Sequence, residues 1–218
     1  MRSVDEHLAR VLDPVRPLNP IDMGLTDARG CILAEDVRAP WPLPPFDNSA
    51  MDGYAVLAGQ LAQASRAAPV RLKVVDDIPA GTRPRATVVP NTASRIMTGA
   101  PMPYGADAVV PVEFTDGGMP VVTVFGSVRV GQHVRRAGDD VHSGALVLKA
   151  GTVMDARQSA LAAAVGRARV MVHPRPRVVV LTTGSELVEP GRQLGPGMIN
   201  DVNGAALTVA AAELGAES

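Results

Sequence analysis

Residues 46–56, FDNSAMDGYAV, mark the point at which the sequence changes its structural pattern. Just before them, four prolines between positions 40 and 45 form a stiff, extended connector. After them, short apolar runs separated by glycine-containing turns continue to about Asp140, which is typical of a small β-rich domain. The stretch therefore predicts a domain boundary within an α+β, multidomain protein.

The β-rich domain is predicted over residues 41–140. Its predicted strands are Tyr54–Leu57, Val70–Val75, Ala108–Val112, Val121–Phe125 and Gln132–Arg135. The flanking segments, 1–40 and 141–172, are predicted to form one elongated domain of helices and strands. The β-rich domain is then an insertion in that domain.

Two capping signals predict the helices of the elongated domain. Ser3 and Glu6 form a capping box at the start of the first helix, and Asp155 with Gln158 begins the second. Gly166 is expected to end the second helix, which we expect to pack near the first. Ile32–Val37 is predicted as one short extended piece.

The last segment, 173–218, predicts the beginning of an α/β domain. Val178–Leu181 is an apolar run without alternation, which is typical of a strand buried on both faces of a parallel sheet. Asn203 is predicted to cap a third helix that runs to Leu214. A parallel strand needs a neighbour reached through such a crossover, so this domain is expected to be truncated. Pairing of the strand with a second chain is the alternative.

Composition excludes several classes of function. A net charge of -1 and 3% aromatic residues argue against a nucleic-acid partner. Cys31 is the single cysteine, so no internal disulfide or thiolate cluster is expected, and the four histidines are scattered. Since no apolar run approaches the length of a membrane span, we expect a cytoplasmic protein without a membrane partner.

Each polar motif has a plain structural explanation beside a functional one. Asp52-Gly53 is an ordinary turn signal, but Asp47, Asn48 and Ser49 add an unusual density of polar groups before a strand. Thr98-Gly99 offers a hydroxyl and a close backbone approach, although a strand-ending turn is favoured on spacing alone.

Three later motifs leave the same choice open. Residues 135–140, RRAGDD, are either a solvated loop or an anion site with a carboxylate for Mg²⁺. Gly184-Ser185-Glu186 follows the predicted strand, where α/β sheets bind ligands, but a charge at a helix N-terminus is the alternative. Asp201 and Asn203 are either ligand contacts or helix caps.

In order, these segments resemble the molybdopterin molybdenumtransferase family, which includes bacterial MoeA and the gephyrin E domain. The matching segments are PPFDNSAMDGYAV at 44–56, RIMTGAPMPYGADAVVPVE at 95–113, VRRAGDDVHSGALVLKAG at 134–151, VVVLTTGSELVEPG at 178–191 and LGPGMINDVN at 194–203. The resemblance covers nearly the whole chain, and its first two motifs are very specific. It identifies the chain as the N-terminal portion of such an enzyme.

The resemblance implies insertion of molybdate into adenylylated molybdopterin, with release of AMP and assistance from Mg²⁺. It implies an elongated homodimer, in which the molybdopterin-binding α/β domain of one subunit meets the β-rich domain of the other. The molybdopterin adenylyltransferase is an expected partner. A noncatalytic dimerisation or scaffold module is the main alternative, and a molybdate sensor or carrier has less support.

The family's functional positions fall on a defined set of residues here. The catalytic positions are Asp52, Thr98, Asp140 and Glu186, and the last two are also the expected Mg²⁺ ligands. The implied ligand-binding positions are Ser49, Gly99, Arg135, Arg136, Gly184, Asp201 and Asn203. As hypotheses, Asp52 orients molybdate-bound or free water, and Thr98 hydrogen-bonds a phosphate or molybdate oxygen.

The chain departs from the family pattern in two ways. Members usually carry Asp where Ser185 stands and Ser or Thr where Val202 stands. Their later glycine-rich, serine-containing loop and lysines are not in this sequence. We therefore expect this chain by itself to bind cofactor poorly and not to turn over.

Overall fold

The computed structural model describes residues 2–217 and divides the chain into two compact units. We call Met1–Arg38 with Leu146–Ser218 the terminal unit, and Ala39–Ala145 the central unit. A β-rich segment is thus inserted between two parts of the terminal unit.

The described chain is mostly sheet, with few helices. The α-helices are α1 (Val4–Leu12), α2 (Ala156–Ala164) and α3 (Val202–Glu213). The strands are β1 (Ile21–Gly24), β2 (Ile32–Leu33), β3 (Val37–Arg38), β4 (Asn48–Ser49), β5 (Gly53–Val56), β6 (Val70–Ile78), β7 (Thr92–Ile96), β8 (Ala108–Pro111), β9 (Val121–Val124), β10 (Val134–Arg135), β11 (Leu146–Leu148), β12 (Arg169–His173), β13 (Leu187–Val188) and β14 (Ile199–Asn200). Short 3₁₀ turns span Ala58–Leu61 and Val112–Phe114.

The central unit is built on a five-stranded sheet in the order β8-β5-β7-β6-β9. Strands β6 and β7 are parallel, and the other neighbouring pairs are antiparallel. All four residues of β5 are buried. A separate pair of short strands, β4 and β10, lies antiparallel in the same unit.

Apolar side chains cover both faces of the five-stranded sheet, because successive residues of a strand point to opposite faces. Tyr54 belongs to the cluster on one face, and its neighbour Ala55 belongs to the cluster on the other. The first cluster also contains Val56, Leu61, Leu72, Val110, Val122 and Val124. The second also contains Ile78, Ile96, Ala100 and Val109.

Gly53 opens β5 because no other residue fits there. A Cβ added to Gly53 would lie 1.9 Å from the carbonyl oxygen of Val110 in the paired strand β8. The Asp52-Gly53 pair is therefore not the tip of a hairpin. It marks a close approach of two backbones that leaves Asp52 at the end of a buried strand.

The predicted strands of the central unit are confirmed, with shifts of their ends. The strand predicted over Val70–Val75 continues to Ile78, and the one predicted over Gln132–Arg135 shortens to β10. Strand β7 was not among the predicted strands, although it lies between β5 and β6 in the middle of the sheet.

The terminal unit contains the antiparallel sheet β1-β12-β2 and the antiparallel pair β3–β11. Leu33, Met154 and Val172 are among its fully buried side chains. The predicted extended piece Ile32–Val37 is wrong as a single element, because it splits into β2 and β3, which join different pairs.

The helix starts at Ser3 and Asp155 are confirmed. The Ser3 side chain accepts the Glu6 N–H in a complete capping box, and the Asp155 carboxylate accepts the N–H groups of Arg157 and Gln158. Helix α2 packs against β11. Helix α1 buries none of its residues, so the expected packing of α2 near α1 finds no support.

The prediction of a buried strand at Val178–Leu181 is wrong. This segment forms no strand, and Leu181 is 84% exposed. Only its start is paired, since the Val178 N–H donates to the carbonyl of Glu217 at 2.7 Å. A parallel β-bridge joins Arg177, which precedes α3 in the chain, to Glu217, which follows it. A parallel strand is stable only between neighbours, and this bridge is too short to bury the segment.

The prediction that Asn203 caps the third helix is also wrong. Asp201 is the N-cap of α3, and its carboxylate accepts the Gly204 N–H at 2.9 Å. Asn203 lies inside the first turn. The predicted end of the helix is correct, because Gly215 follows it with a positive φ of 90°.

No helix in the described part of the chain is both long enough and apolar enough to cross a membrane.

Candidate active site

Three sequence motifs far apart along the chain meet in the central unit. The backbone of Ser49 bonds on one side to the loop after β7, since Gly99 N–H donates to Ser49 O at 2.8 Å and Ser49 N–H to Ala100 O at 3.0 Å. On its other side, Ser49 pairs with Val134 in β10. The segment from Asp47 to Asp52 therefore joins the predicted sites at 98–99 and 135–140.

Asp52 and Thr98 are in direct contact. One carboxylate oxygen of Asp52, Oδ1, accepts both the backbone N–H and the hydroxyl of Thr98, each at 2.7 Å. Both residues are exposed. The Asp52 carbonyl accepts the Val112 N–H at 3.0 Å, which fixes the backbone beneath the carboxylate. The structure thus brings together two of the four residues expected to be catalytic.

Asp52 is held in its charged form. The Thr98 N–H and then the Thr98 hydroxyl keep the pKa of the Asp52 carboxyl below its ordinary value of 3.8, against a smaller opposing effect of burial. The positive charge of Arg95 lowers that pKa further. At neutral pH the group is a carboxylate that can accept hydrogen bonds or orient a water molecule, and it has no proton to donate.

Gly99 and Ser49 are both expected to contact ligand, but they differ in solvent exposure. Gly99 has a φ of 81°, and a Cβ there would meet no atom within 4 Å, so the space beside its backbone is open. Ser49 is fully buried, and its hydroxyl donates to Met51 O at 2.5 Å. The Ser49 hydroxyl stabilises the turn before Asp52.

The two neighbouring arginines of the 135–140 loop have different surroundings. The Arg136 guanidinium donates to Asp47 Oδ2 at 2.6 Å, and the Arg136 N–H donates to Asp139 Oδ2 at 2.7 Å. Within residues 2–217, the side chains of Arg135 and Asp140 have no hydrogen-bond or ion-pair partner, and both residues are exposed. Arg135 and Asp140 are therefore the free charged groups of this loop.

Asp47 was not among the predicted site residues, although its polar neighbourhood was noted. Its carboxylate accepts the Ala137 N–H at 2.8 Å in addition to the Arg136 guanidinium. The Ala137 N–H lowers the pKa of Asp47 most, followed by the hydrogen bond and charge of Arg136, while burial opposes them. The polar density around Asp47 is the signal that points to this contact.

Arg95 is a second residue that the sequence prediction missed. It pairs with Tyr54 in the β5–β7 register. Asp52 lies two residues before Tyr54, so Asp52, Tyr54 and Arg95 point to the same side of the sheet. Its guanidinium lies 3.8 Å from Asp77 Oδ2, with 41% of the Arg95 side chain exposed. Arg95 thus brings a positive charge close to Asp52, and its place at the start of the RIMTGA motif was the available signal.

The terminal unit contains the remaining predicted residues. The Thr182 hydroxyl donates to Asp201 Oδ2 at 2.5 Å, while Asp201 Oδ1 caps α3. The Thr182 hydroxyl and then the Gly204 N–H keep the pKa of Asp201 below its ordinary value. Thr182, Gly184 and Asp201 line a cavity of 420 Å³ at the start of α3.

Gly184 and Glu186 are also in contact. A Cβ on Gly184 would lie 2.6 Å from Glu186 Oε2, so the glycine makes room for the exposed carboxylate of Glu186. Asn203 follows Val202 in the first turn of α3, and Val202 is 70% exposed. Ser185 is exposed in the turn between Gly184 and Glu186. Nothing in the structure explains why Ser185 and Val202 depart from the family pattern.

Few side chains of the described residues are placed to bind a metal ion. Among residues 2–217, no three His, Cys, Asp or Glu side chains form a group that could hold a metal ion. Mg²⁺ usually keeps several waters and binds one or two carboxylates together with substrate phosphates. The exposed carboxylates of Asp140, in the central unit, and Glu186, in the terminal unit, are of the type that this mode requires.

Comparisons with known proteins agree with the resemblance noted in the sequence. The family described as MoeA N-terminal region (domain I and II) matches residues 2–166. Molybdopterin molybdenumtransferase 2 of Mycobacterium tuberculosis is 49% identical over 216 residues, which cover 99% of this chain and 53% of the relative. The molybdopterin molybdenumtransferase of Bacillus subtilis is 37% identical, over 98% of this chain and 50% of the relative.

A solved structure has the same overall fold. The molybdopterin biosynthesis MoeA protein from Pyrococcus horikoshii matches with a TM-score of 0.84 and 32% identity, over 98% of this chain and 57% of that one. The chain therefore spans about half the length of the curated relatives and of the solved structure that it matches.

Proposed function

The chain belongs to the MoeA family, and on that premise we propose that the protein is a molybdopterin molybdenumtransferase of molybdenum cofactor biosynthesis. It inserts molybdate into adenylylated molybdopterin and releases AMP. Relatives that carry this name match nearly the whole chain, which supports the proposal.

The observation that carries the proposal is the doubly hydrogen-bonded Asp52 carboxylate beside the open backbone of Gly99. A carboxylate held ionised by Thr98 has a fixed oxygen, Oδ1, and leaves Oδ2 without a hydrogen-bond partner among the described residues. We assign Oδ2 to the orientation of molybdate-bound or free water. Arg95 and Arg135 supply positive charge for the phosphate and molybdate oxygens.

Mg²⁺ is proposed as the metal cofactor, with Asp140 of one subunit and Glu186 of the other as its protein ligands in the proposed homodimer. Bound there, the ion would neutralise charge on the substrate phosphates and the AMP leaving group. Both carboxylates are exposed, and that of Asp140 has no partner among residues 2–217. The Asp140→Ala variant should need a higher Mg²⁺ concentration for half-maximal activity.

The finer domain arrangement is proposed from the family. The terminal unit would hold the elongated dimerisation domain and the beginning of the molybdopterin-binding α/β domain, and the central unit would be the inserted β-rich domain. The protein would work as a cytoplasmic homodimer, with each active site formed by two subunits. The cavity lined by Thr182, Gly184 and Asp201 would take part of the pterin substrate, which the molybdopterin adenylyltransferase would supply.

The experiment that tests this function follows AMP release. The protein at its native length is incubated with adenylylated molybdopterin and Mg²⁺, with and without molybdate. AMP that appears only with molybdate supports the transferase. Tight binding of adenylylated molybdopterin without AMP release would reject the reaction while keeping the binding site, and failure to bind would reject both.

An exposed apolar face favours a second candidate, a noncatalytic dimerisation or scaffold module. In helix α1, Val4 is 85% exposed and Leu8, Val11 and Leu12 are each more than half exposed. Four apolar side chains on one exposed helix are typical of a surface that another protein covers. A pure scaffold would be indifferent to adenylylated molybdopterin, so the titration above separates the two candidates.

A further inference from the structure

The loop that carries Arg135 and Asp140 is attached to the segment before Asp52 by several contacts. Backbone bonds join Gly138 N–H to Pro44 O at 3.0 Å and Asp140 N–H to Leu43 O at 2.9 Å. Next to them, the Asp47 carboxylate accepts hydrogen bonds from Ala137 and Arg136, which are the only side-chain hydrogen bonds between the two segments among residues 2–217.

Asp47 uses both of its oxygens in this attachment. Oδ1 accepts the Ala137 N–H at 2.8 Å, and Oδ2 accepts the Arg136 guanidinium at 2.6 Å. Charge-assisted hydrogen bonds of this kind are stronger than neutral ones, and two of them restrict the loop in direction as well as in distance. The Asp47 side chain is 38% exposed and that of Arg136 is 53% exposed, so the ion pair alone would contribute little to stability.

The contacts of Asp47 indicate a role other than stabilising the fold. Its backbone carbonyl accepts the Met102 N–H at 2.9 Å, which ties the same residue to the segment that follows Gly99. Asp47 therefore contacts the two loops that flank the Asp52 site. Asp47 is thus placed to hold the loop of Arg135 and Asp140 against the segment that follows Gly99.

The neighbouring residues Arg135 and Arg136 therefore have different roles. The Arg136 guanidinium is occupied by Asp47, whereas Arg135 has no side-chain partner within residues 2–217. The Arg136 guanidinium already gives an N–H to Asp47 Oδ2, so it has fewer free donors for a second anion than the Arg135 guanidinium has.

We propose that Asp47 is a positioning residue, which acts through Arg136 and Ala137 to hold the 135–140 loop so that Arg135 and Asp140 face the substrate. Arg136 then serves the loop and does not bind the substrate. This inference rests on the proposed function for its effect on substrate, but the attachment of the loop is independent of it.

The first test measures amide hydrogen exchange in the protein. Asp47→Ala and Arg136→Gln should each speed exchange of the Gly138 and Asp140 amides by about tenfold, because the loop detaches more often. These amides bond to Pro44 and Leu43, not to Asp47, so they report the docking of the whole loop. Unchanged exchange at both amides in Asp47→Ala would overturn the proposal.

The second test uses the protein at its native length. Asp47→Ala should raise KM for adenylylated molybdopterin by about tenfold and should also raise the Mg²⁺ concentration needed for half-maximal activity, since Arg135 and Asp140 are misplaced while their charges remain. The double variant of Asp47 and Arg136 should be no worse than Asp47→Ala alone. Asp47→Asn, which keeps an acceptor for Ala137 N–H, should lie between the wild type and Asp47→Ala.

Asp116→Ala is the matched control. Asp116 is an exposed carboxylate of the same unit that accepts the N–H groups of Gly118 and Thr123, and its pKa is also lowered by hydrogen bonds. It should leave KM unchanged. A purely structural role for Asp47 would instead lower thermal stability with KM unchanged, which would overturn the proposal. If the unsubstituted protein released no AMP, the proposed function would fail, and the exchange data would decide the loop attachment by themselves.

Discussion

The Asp52 carboxylate accepts two hydrogen bonds from one residue, Thr98, which lies 46 positions later in the chain. The N–H and the hydroxyl both reach Oδ1 at 2.7 Å. The pair fixes the orientation of the carboxylate at the start of β5 against the loop after β7. From this geometry we predict separate effects of changing the Thr98 hydroxyl, Gly99 and the Asp52 carboxylate.

The Thr98 hydroxyl is predicted to matter for activity more than for folding. Thr98→Val keeps the backbone N–H but removes the hydroxyl, so kcat should fall by about tenfold. Thr98→Ser keeps the hydroxyl and should stay within about threefold of the wild type. Thr82→Val is the control, since the exposed Thr82 hydroxyl donates only to Pro79 O. Equal kcat values for Thr98→Val and the wild type would contradict the assignment.

Gly99→Ala is predicted to impair activity beyond its cost in stability. A non-glycine residue at a φ of 81° should lower the free energy of unfolding by about 1 kcal/mol. Gly81→Ala is closely matched, because Gly81 has a φ of 82° and its added Cβ also meets no atom within 4 Å. Both variants should unfold at similar urea concentrations. Only Gly99→Ala should reduce AMP release, and equal loss in both would argue against a ligand beside Gly99.

Asp76 is predicted to stabilise the central unit. Its side chain is 3% exposed and accepts the N–H groups of Asp77, Arg85 and Ala86. Asp76→Ala leaves these donors without their acceptor, so the free energy of unfolding in urea should fall by about 2 kcal/mol. Asp77→Ala is the control, because Asp77 is exposed and its ion pair with Arg95 is long, at 3.8 Å. A similar loss in both variants would contradict this account.

The pH dependence of that stability has a defined sign. Burial raises the pKa of Asp76, but the hydrogen bonds from Arg85, Ala86 and Asp77 together bring it below its ordinary value of 3.8. A depressed pKa in the folded state stabilises the protein above the unfolded value and stops doing so as pH falls through the folded value. The difference in stability between the wild type and Asp76→Ala should therefore be constant above pH 3.8 and shrink below it.

Asp201 is predicted to hold the first turn of α3. Asp201→Ala should speed exchange of the Gly204 amide, because the carboxylate that accepts this N–H is lost. Asp201→Asn keeps an acceptor and should retain most of the protection. Asp155→Ala, which removes the cap of α2, should leave the Gly204 amide unchanged. Unaltered exchange in Asp201→Ala would show that the cap is not needed.

Local signals in the sequence predicted the helix starts and most strands of the central unit. Ser3 and Asp155 act over three residues, so their patterns alone determine the caps. Strand β7 was missed because its sequence, TASRI, contains polar residues that do not alternate with apolar ones. It is nevertheless buried, and Ser94 has a hydroxyl with no hydrogen-bond partner among the described atoms.

Contacts between residues far apart in the chain could not be predicted from the spacing of residues in the sequence. Val178–Leu181 looked like a buried strand because burial was inferred from composition, whereas burial depends on neighbouring strands. The bonds of Asp47 to Arg136, and of Asp52 to Thr98, join residues 89 and 46 positions apart. Only the family resemblance placed these motifs in one site before the structure did so.

Molybdate-dependent AMP release by Asp52→Ala tests the central claim most directly. The variant is compared at native length with the wild type and with Asp116→Ala, which loses a carboxylate with two similar hydrogen bonds. We predict that Asp52→Ala folds, binds adenylylated molybdopterin and releases no AMP above the rate without molybdate, while Asp116→Ala keeps wild-type activity. Wild-type AMP release by a folded Asp52→Ala protein would contradict the account, because Asp52 would then have no part in the reaction.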